Sequence, residues 1–251
     1  MLKIDLNCDM GESFGRWRMG NDPALMGVVS SVNIACGFHA GDPTVMRQTV
    51  ERALENKLAV GAHPSFPDLQ GFGRRDMSLS PQEVFDFVLY QTGALAAITK
   101  AFGGRLHHVK PHGALYNSAA QDSAMSAAIA RAVQAIDPDL ILYGLSGSRL
   151  IDEAEKIDLR TASEVFADRT YQPDGSLTPR SEPNALVPTI EKSVAQVLEM
   201  IVERNVTAVT GEKVAIRAET VCIHGDGADA LAIARSIRQK LSENGILIQA
   251  L

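Results

Sequence analysis

The sequence predicts an α/β fold, a single irregular seven-stranded (β/α) barrel. Short apolar strands alternate with helical stretches along the whole chain, and most predicted strands end in a polar residue near a glycine. Alternating strands and helices imply parallel pairing with right-handed crossovers. In a barrel the carboxyl ends of the strands converge on one face, so these polar ends would form one site. An open Rossmann sheet fits less well, because no Gly-x-Gly-x-x-Gly motif follows the first strand.

The seven predicted strands lie at residues 3–8, 31–36, 58–63, 106–110, 140–145, 161–165 and 220–224. Apolar residues at helical spacing predict helices at residues 44–56, 81–101, 122–136, 147–156, 188–204 and 228–243. Asp42-Pro43 and Ser80-Pro81 are typical helix starts, and residues 226–229 would cap the last helix. We predict one domain over residues 1–251 with a long loop at about residues 167–187. That loop would be a lid or a partner contact, or else a solvated insertion.

Composition indicates a globular protein, since 45% of the 251 residues are hydrophobic and 22% are charged. The net charge of −6 argues against nucleic acid or an anionic membrane as the main partner. We expect a cytoplasmic protein, because the sequence contains neither a membrane-spanning apolar run nor a signal-peptide pattern. Three cysteines predict neither a disulfide framework nor a cysteine-rich zinc site.

Strand parity places polar side chains inside the barrel. In the first strand Asp5, Asn7 and Asp9 share one face, and Asn33 has the same parity in the second. Burying such groups without partners costs about 1–3 kcal/mol each, so a hydrogen-bond network and a function for it are expected. Asp9 lies nearest the carboxyl end and is the catalytic candidate, or alternatively a helix cap. Asp5 and Asn7 would support it.

Histidines recur near the strand ends, at His39, His63, His112 and His224. A single histidine is usually structural, but four at equivalent places suggest proton transfer or metal ligation. No dense ligand motif such as His-Glu-x-x-His is present, so the sequence leaves open whether a divalent metal is bound. Glu12 follows Asp9 through a glycine and could share acid, base or metal chemistry with it, or be merely exposed.

Cationic side chains accompany these groups. Lys110 has barrel-facing parity and could stabilise an oxyanion, or form an ion pair with Asp5, Asp9 or Glu164. Arg74 and Arg169 could each hold a substrate carboxylate. No Walker-type loop and no Gly-x-Ser-x-Gly elbow is present.

Several long motifs occur in order: LNCDMGE (6–12), VNIACGFHAGDP (32–43), GAHPSFPDLQGFGRR (61–75), HVKPHGALYN (108–117), EVFADRTY (164–171) and CIHGD (222–226). Together they resemble the LamB/YcsF family over nearly the whole chain. The resemblance implies a barrel related to glycoside hydrolases and deacetylases. It also implies ATP-dependent opening of the lactam 5-oxoproline to L-glutamate, together with 5-oxoprolinase subunits B and C. ATP would be handled largely by those partners, and homo-oligomer formation is left open.

On this reading the lactam carbonyl is activated by phosphorylation and then attacked by water, with Asp9 or His63 as general base and Lys110 and His112 stabilising negative charge. The expected catalytic residues are Asp9, His39, His63, Lys110 and His112. The expected substrate-binding residues are Asn7, Glu12, Asn33, Arg74, Glu164, Arg169 and His224. Two alternatives remain, a stand-alone metal-dependent amidohydrolase or deacetylase and a non-catalytic substrate-binding subunit.

Overall fold

The computed structural model describes residues 2–225 and 229–251. Its strands are β1 (Lys3–Met10), β2 (Ser31–Ala35), β3 (Ala59–His63), β4 (Leu106–Val109), β5 (Ile141–Leu145), β6 (Arg160–Phe166), β7 (Asn205–Thr207), β8 (Lys213–Ala215), β9 (Thr220–Ile223) and β10 (Leu247–Ile248). Its helices are α1 (Asp22–Met26), α2 (Pro43–Glu55), α3 (Pro81–Ala101), α4 (Gly113–Ala119), α5 (Ser123–Ile136), α6 (Arg149–Glu155), α7 (Ile190–Leu198) and α8 (Ala230–Glu243).

Within the described residues, seven parallel strands close into a barrel. Strands β1 to β6 follow one another in sequence order, and β9 closes the ring by pairing with both β6 and β1. The predicted seven-stranded (β/α) barrel is therefore confirmed. Asp226 of the last motif and the predicted start of the last helix at residue 228 lie outside the described residues.

Two of the predicted helix starts have the expected capping bonds, whereas Asp229 lies at the N-cap of α8 without a side-chain capping bond to any described residue. The Asp42 side chain accepts from the main-chain N–H groups of Thr44 and Val45, and Ser80 forms a capping box with Glu83. Such caps satisfy the orphan N–H groups of the first turn. No helix in the described part of the chain is both long enough and apolar enough to cross a membrane.

Several parts of the chain differ from the prediction, and α1 and α4 are absent from the predicted helices. The single helix expected at residues 188–204 is α-helical only to Leu198, and a π-helical turn at Glu199–Glu203 follows it. The short β7–β8 hairpin is antiparallel and separate from the barrel. The two residues of β10 pair with the start of β1 below its contact with β9.

The apolar core lies between the outer face of the barrel and the helices. Leu6, Val32 and Val60 point outward from adjacent strands and are fully or almost fully buried. The inward face is mostly polar, apart from a small apolar cluster of Ile141, Tyr143 and Ala162. The barrel interior thus gives up part of the bulky aliphatic packing that barrels usually contain.

The segment at residues 167–187 packs against the barrel mouth. Tyr171 and Thr178 are fully buried, and isolated bridges join Arg169 to Leu186 and Tyr171 to Leu177. The Arg169 guanidinium donates to the main-chain oxygens of Thr178 and Ala185. These contacts hold the segment in a defined conformation, with residues 176–181 beside the cavity described below.

Candidate active site at the barrel mouth

Asp5 forms the lowest polar layer of the barrel interior. Its carboxylate accepts hydrogen bonds from the hydroxyl groups of Ser30, Ser31, Tyr143 and Thr220 at 2.6–2.9 Å. Four hydroxyl donors satisfy the carboxylate without a cation. The sequence suggested Asp5, Asp9 or Glu164 as the ion-pair partner of Lys110. In the structure Lys110 pairs with Asp9 and Glu164 and not with Asp5.

Lys110 lies at the centre of the next layer. Its ammonium is 3.0 Å from Asp9 Oδ1 and 2.9 Å from Glu164 Oε1, and all three side chains are almost completely buried. Asn33 donates to Asp9 Oδ1 at 2.8 Å, and Asn7 donates to Glu164 Oε1 at 2.9 Å. A buried cation with two carboxylates needs such a hydrogen-bonded setting to be tolerated.

The charges in this layer reinforce one another. Burial alone would lower the pKa of Lys110, but the carboxylate of Asp9, first among several neighbours, raises that pKa well above its usual value. Burial alone would raise the pKa of Asp9, but His63 and Lys110 outweigh it and hold that pKa well below its usual range. The site therefore contains a charged ammonium directly beside an ionised carboxylate.

A histidine cluster lies above Asp9. His63 Nε2 is 3.4 Å from Asp9 Oδ2 and 3.0 Å from His112 Nδ1. Glu12 approaches from the end of β1, with Oε1 3.4 Å from His39 Nε2 and 3.9 Å from His112 Nδ1. Burial, aided by the neighbouring imidazoles, lowers the pKa of His39 and of His112 well below the usual value. These two rings are consequently neutral near pH 7.

The His108 ring packs closely against the backbone of β3 at Gly61. The His108 ring is buried inside the barrel, stacks on Tyr143 and lies 2.7 Å from Asn33 Oδ1. A Cβ atom at Gly61 would overlap that ring. The glycine is therefore needed so that the backbone of β3 can pass close to an imidazole.

His224 and Asp168 face the cluster from the opposite side of the mouth. His224 Nδ1 lies 2.9 Å from Asp168 Oδ2, and the imidazole stacks on Phe166. Burial works to raise the pKa of Asp168, but the charge and hydrogen bond of His224 hold it below its usual range. Both side chains keep a small exposed fraction at the mouth.

A cavity of about 560 Å³ joins these groups to solvent. Of the predicted site residues, those on its wall are Asp9, His63, Arg74, Lys110, His112, Arg169 and His224. The other predicted site residues are not on the wall but contact residues that are, directly or through one another, by the bonds described above. They are Asn7, Glu12, Asn33, His39 and Glu164. Arg74 is exposed on the wall, 4.8 Å above the Phe72 ring, whereas Arg169 uses its guanidinium to hold the 167–187 segment.

Two groups of side chains have donor atoms close enough for a metal ion. One comprises Glu12, His39, His63 and His112, and the other Asp9, Cys222 and His224. The second already contacts a cation, because the Lys110 ammonium is 3.0 Å from both Asp9 Oδ1 and Cys222 Sγ. The first group is the better candidate for a divalent ion.

Some residues of the site are absent from the set that the sequence suggested. Tyr116, Asp168 and residues 176–181 contribute to the site or its wall. Asp168 lies three residues after the predicted strand at 161–165, near a strand end as Asp9 is, and could have been chosen on similar grounds. Residues 176–181 have no periodic pattern, and only the fold brings them to the mouth.

Sequence comparison identifies close relatives. The LamB/YcsF family model matches residues 4–251. A protein of Bordetella parapertussis, named as the A subunit of 5-oxoprolinase, is 60% identical over 247 residues, covering 98% of each chain. Another protein of that name, from Tolumonas auensis, is 61% identical over 251 residues and covers 100% of both chains.

Structural comparison agrees. The crystal structure of a lactam utilization protein from Thermus thermophilus is 47% identical, with a TM-score of 0.94 and 100% of both chains covered. A putative cellobiose-phosphate cleavage protein from Enterococcus faecalis shares the fold at 17% identity, with a TM-score of 0.56 and 98% and 96% of the two chains covered. By the family model, these relatives and this barrel, the chain belongs to the LamB/YcsF family.

Proposed function

We propose that this chain is the hydrolytic component of an ATP-dependent 5-oxoprolinase, which opens the five-membered lactam of 5-oxoproline to L-glutamate. The observation that carries the proposal is the buried Asp9–Lys110–Glu164 layer at the floor of an open cavity. Full-length relatives of about 60% identity, named as the A subunit of 5-oxoprolinase, support the choice of substrate.

Asp9 is the proposed general base. Its Oδ1 is held by Asn33 and Lys110, whereas Oδ2 has a longer contact of 3.4 Å with His63 Nε2 and is the proposed acceptor of a proton from water in the cavity. His63 Nε2 is instead engaged by His112 Nδ1 at 3.0 Å and by Asp9 Oδ2 at 3.4 Å. A positioned base of this kind contributes about 10²–10⁴-fold to a hydrolysis.

Lys110 is the proposed electrostatic stabiliser of the negative charge on the phosphorylated lactam oxygen while water adds to the lactam carbon. His112 is less suited to that role. Its Nε2 carries the ring proton and already donates it to the carbonyl oxygen of Phe72, so this N–H is not directed at the substrate. When the C–N bond breaks, the nitrogen must take up a proton. His224, held by Asp168 across the cavity, is the proposed donor.

Arg74 is the proposed partner of the substrate carboxylate, since it lies on the cavity wall. Arg169 would act indirectly, by keeping the 167–187 segment in place. An amide carbonyl is a weak electrophile, which gives ATP a chemical purpose. In an assembly with subunits B and C, ATP would phosphorylate the lactam oxygen and release ADP, which makes the carbon reactive. Water then adds to that carbon, the C–N bond breaks, and hydrolysis of the resulting acyl phosphate gives glutamate and phosphate.

The direct test is glutamate formation from 5-oxoproline with each component omitted in turn. Glutamate should form only when ATP, this chain and subunits B and C are all present. Activity of the isolated chain without ATP would favour a stand-alone amidohydrolase. A substrate-binding role would instead predict site variants that change substrate affinity and leave turnover unaltered.

A further inference from the structure

His63 and His112 meet in an arrangement that needs a positive charge between them, either a proton or a metal ion. His63 Nδ1 lies 2.7 Å from the carbonyl oxygen of Lys110, and His112 Nε2 lies 2.8 Å from that of Phe72. A carbonyl oxygen only accepts hydrogen bonds, so both of these nitrogens carry the ring proton. In neutral rings the other two nitrogens, His63 Nε2 and His112 Nδ1, then direct bare lone pairs at each other across 3.0 Å. Such a contact is repulsive unless a proton or a metal ion lies between the two nitrogens.

The surroundings fit a metal ion. The two imidazole planes are 82° apart, so their in-plane lone pairs can converge on one point. Glu12 Oε1 is 3.9 Å from His112 Nδ1, and all donor atoms of the cluster lie within 4.8 Å of one another. Around a tetrahedral ion with bond lengths of about 2.0–2.1 Å, two ligand atoms are about 3.3 Å apart. This separation lies between the 3.0 Å from His63 Nε2 to His112 Nδ1 and the 3.9 Å from Glu12 Oε1 to His112 Nδ1. The carbonyl contacts also fix each ring, as outer partners of metal-ligating histidines do.

We propose that His63, His112 and Glu12 bind one divalent cation of the zinc class at the barrel mouth. His39 is excluded as a ligand beside His112, because the two rings are stacked at 3.8 Å with planes only 6° apart. Their lone pairs run parallel and cannot meet at one ion. Two histidines and a carboxylate are a ligand set typical of catalytic zinc sites, where a fourth position stays open.

The inference concerns metal binding and stands whether or not the proposed lactam reaction is correct. A bound ion of this class polarises carbonyl groups and lowers the pKa of water. It would also occupy the acceptor nitrogen of His63, which leaves Asp9 as the general base.

The test uses the purified full-length chain. Metal content is measured by mass spectrometry, and chelator-treated protein is then titrated with ZnCl₂ in a calorimeter and in thermal unfolding. We expect about one Zn²⁺ per chain and a higher unfolding temperature with zinc. Loss of an outer partner of a metal-ligating histidine lowers metal affinity by about 10- to 100-fold. The variant His63→Asn/His112→Asn removes two ligands, so its affinity for Zn²⁺ should fall by more than that. His107→Asn, which changes a histidine outside the cluster, should bind as the wild type does.

Wild-type protein that takes up no Zn²⁺ would overturn the proposal, because the histidine pair would then hold a proton instead. Equal zinc binding by the double variant would also overturn it, by placing the ion elsewhere. Circular dichroism of each variant shows whether it is folded. Since the wild-type titration needs no variant, the proposal is testable even if the double variant does not fold. An inactive chain that binds zinc would reject the proposed reaction alone.

Discussion

At the scale of the residue, Asp5 illustrates how the barrel accepts charge in its interior. Four hydroxyl groups donate to its carboxylate, and none of those donors belongs to a charged side chain. Hydrogen bonds to charged groups contribute about 1.5–3 kcal/mol each. The catalytic layer above thus rests on a polar floor in which both oxygens of Asp5 have hydrogen-bond partners.

Tyr143→Phe tests the contribution of one of these donors. The substitution removes the 2.9 Å bond to Asp5 while keeping the aromatic ring that stacks on His108. We expect a loss of about 1.5–3 kcal/mol in the free energy of unfolding, measured with urea. Tyr90→Phe is the matched control, because Tyr90 is 67% exposed. An unchanged stability in Tyr143→Phe would mean that Asp5 does not depend on this donor.

Asp168 predicts a dependence of stability on pH. Its pKa in the folded chain is below the usual value, since His224, Arg180 and Arg169 outweigh the effect of burial. The unfolded chain therefore takes up a proton on this group at a higher pH than the folded chain. The stabilisation is complete above the ordinary aspartate pKa of about 3.9 and is lost as the pH falls through the folded value.

The measurement compares wild type with Asp168→Asn in urea titrations between neutral and acid pH. The stability difference should be constant near neutrality and shrink as the pH falls below about 4. A difference that stays constant down to the acid limit would contradict the depressed pKa.

At the scale of the element, the close approach of β3 to the His108 ring is a specific constraint. Gly61→Ala would force a Cβ atom into that imidazole. We expect destabilisation of about 1–3 kcal/mol, the usual range for overpacking a core. Gly93→Ala is the control, because this glycine is inside α3 and its nearest neighbour would be 3.6 Å away. The control should be neutral or gain up to about 1 kcal/mol. If both variants behave alike in thermal unfolding, the packing against His108 is not tight.

Which elements could be predicted follows from their length and pattern. The barrel strands alternate apolar and polar residues, so parity alone placed Asp5, Asn7 and Asp9 on the inner face. α1 with five residues, β7 and β8 with three each and β10 with two are too short for any periodicity. The contact of Tyr143 with Asp5 joins positions 138 residues apart, and no local signal predicts such a partner.

At the scale of the whole molecule, closure of the barrel turns scattered residues into one site. Asp9, Lys110 and Glu164 come from separate strand ends, and the ammonium lies within 3.0 Å of both carboxylates. Sequence parity predicted that these groups face the interior. It could not predict that the Arg169 guanidinium donates to the main-chain oxygens of Thr178 and Ala185, because those contacts depend on how an irregular loop folds back over the mouth.

The central claim is that Asp9 activates water for lactam opening in the assembled enzyme. The most direct measurement is the rate of glutamate formation from 5-oxoproline and ATP by wild-type chain and Asp9→Asn, each combined with subunits B and C. Asparagine keeps the shape of the side chain and can still accept from Asn33 and Lys110, but it cannot take a proton. We predict a fall in kcat of about 10²–10⁴-fold with a small change in KM. A variant that forms glutamate at the wild-type rate would contradict the account.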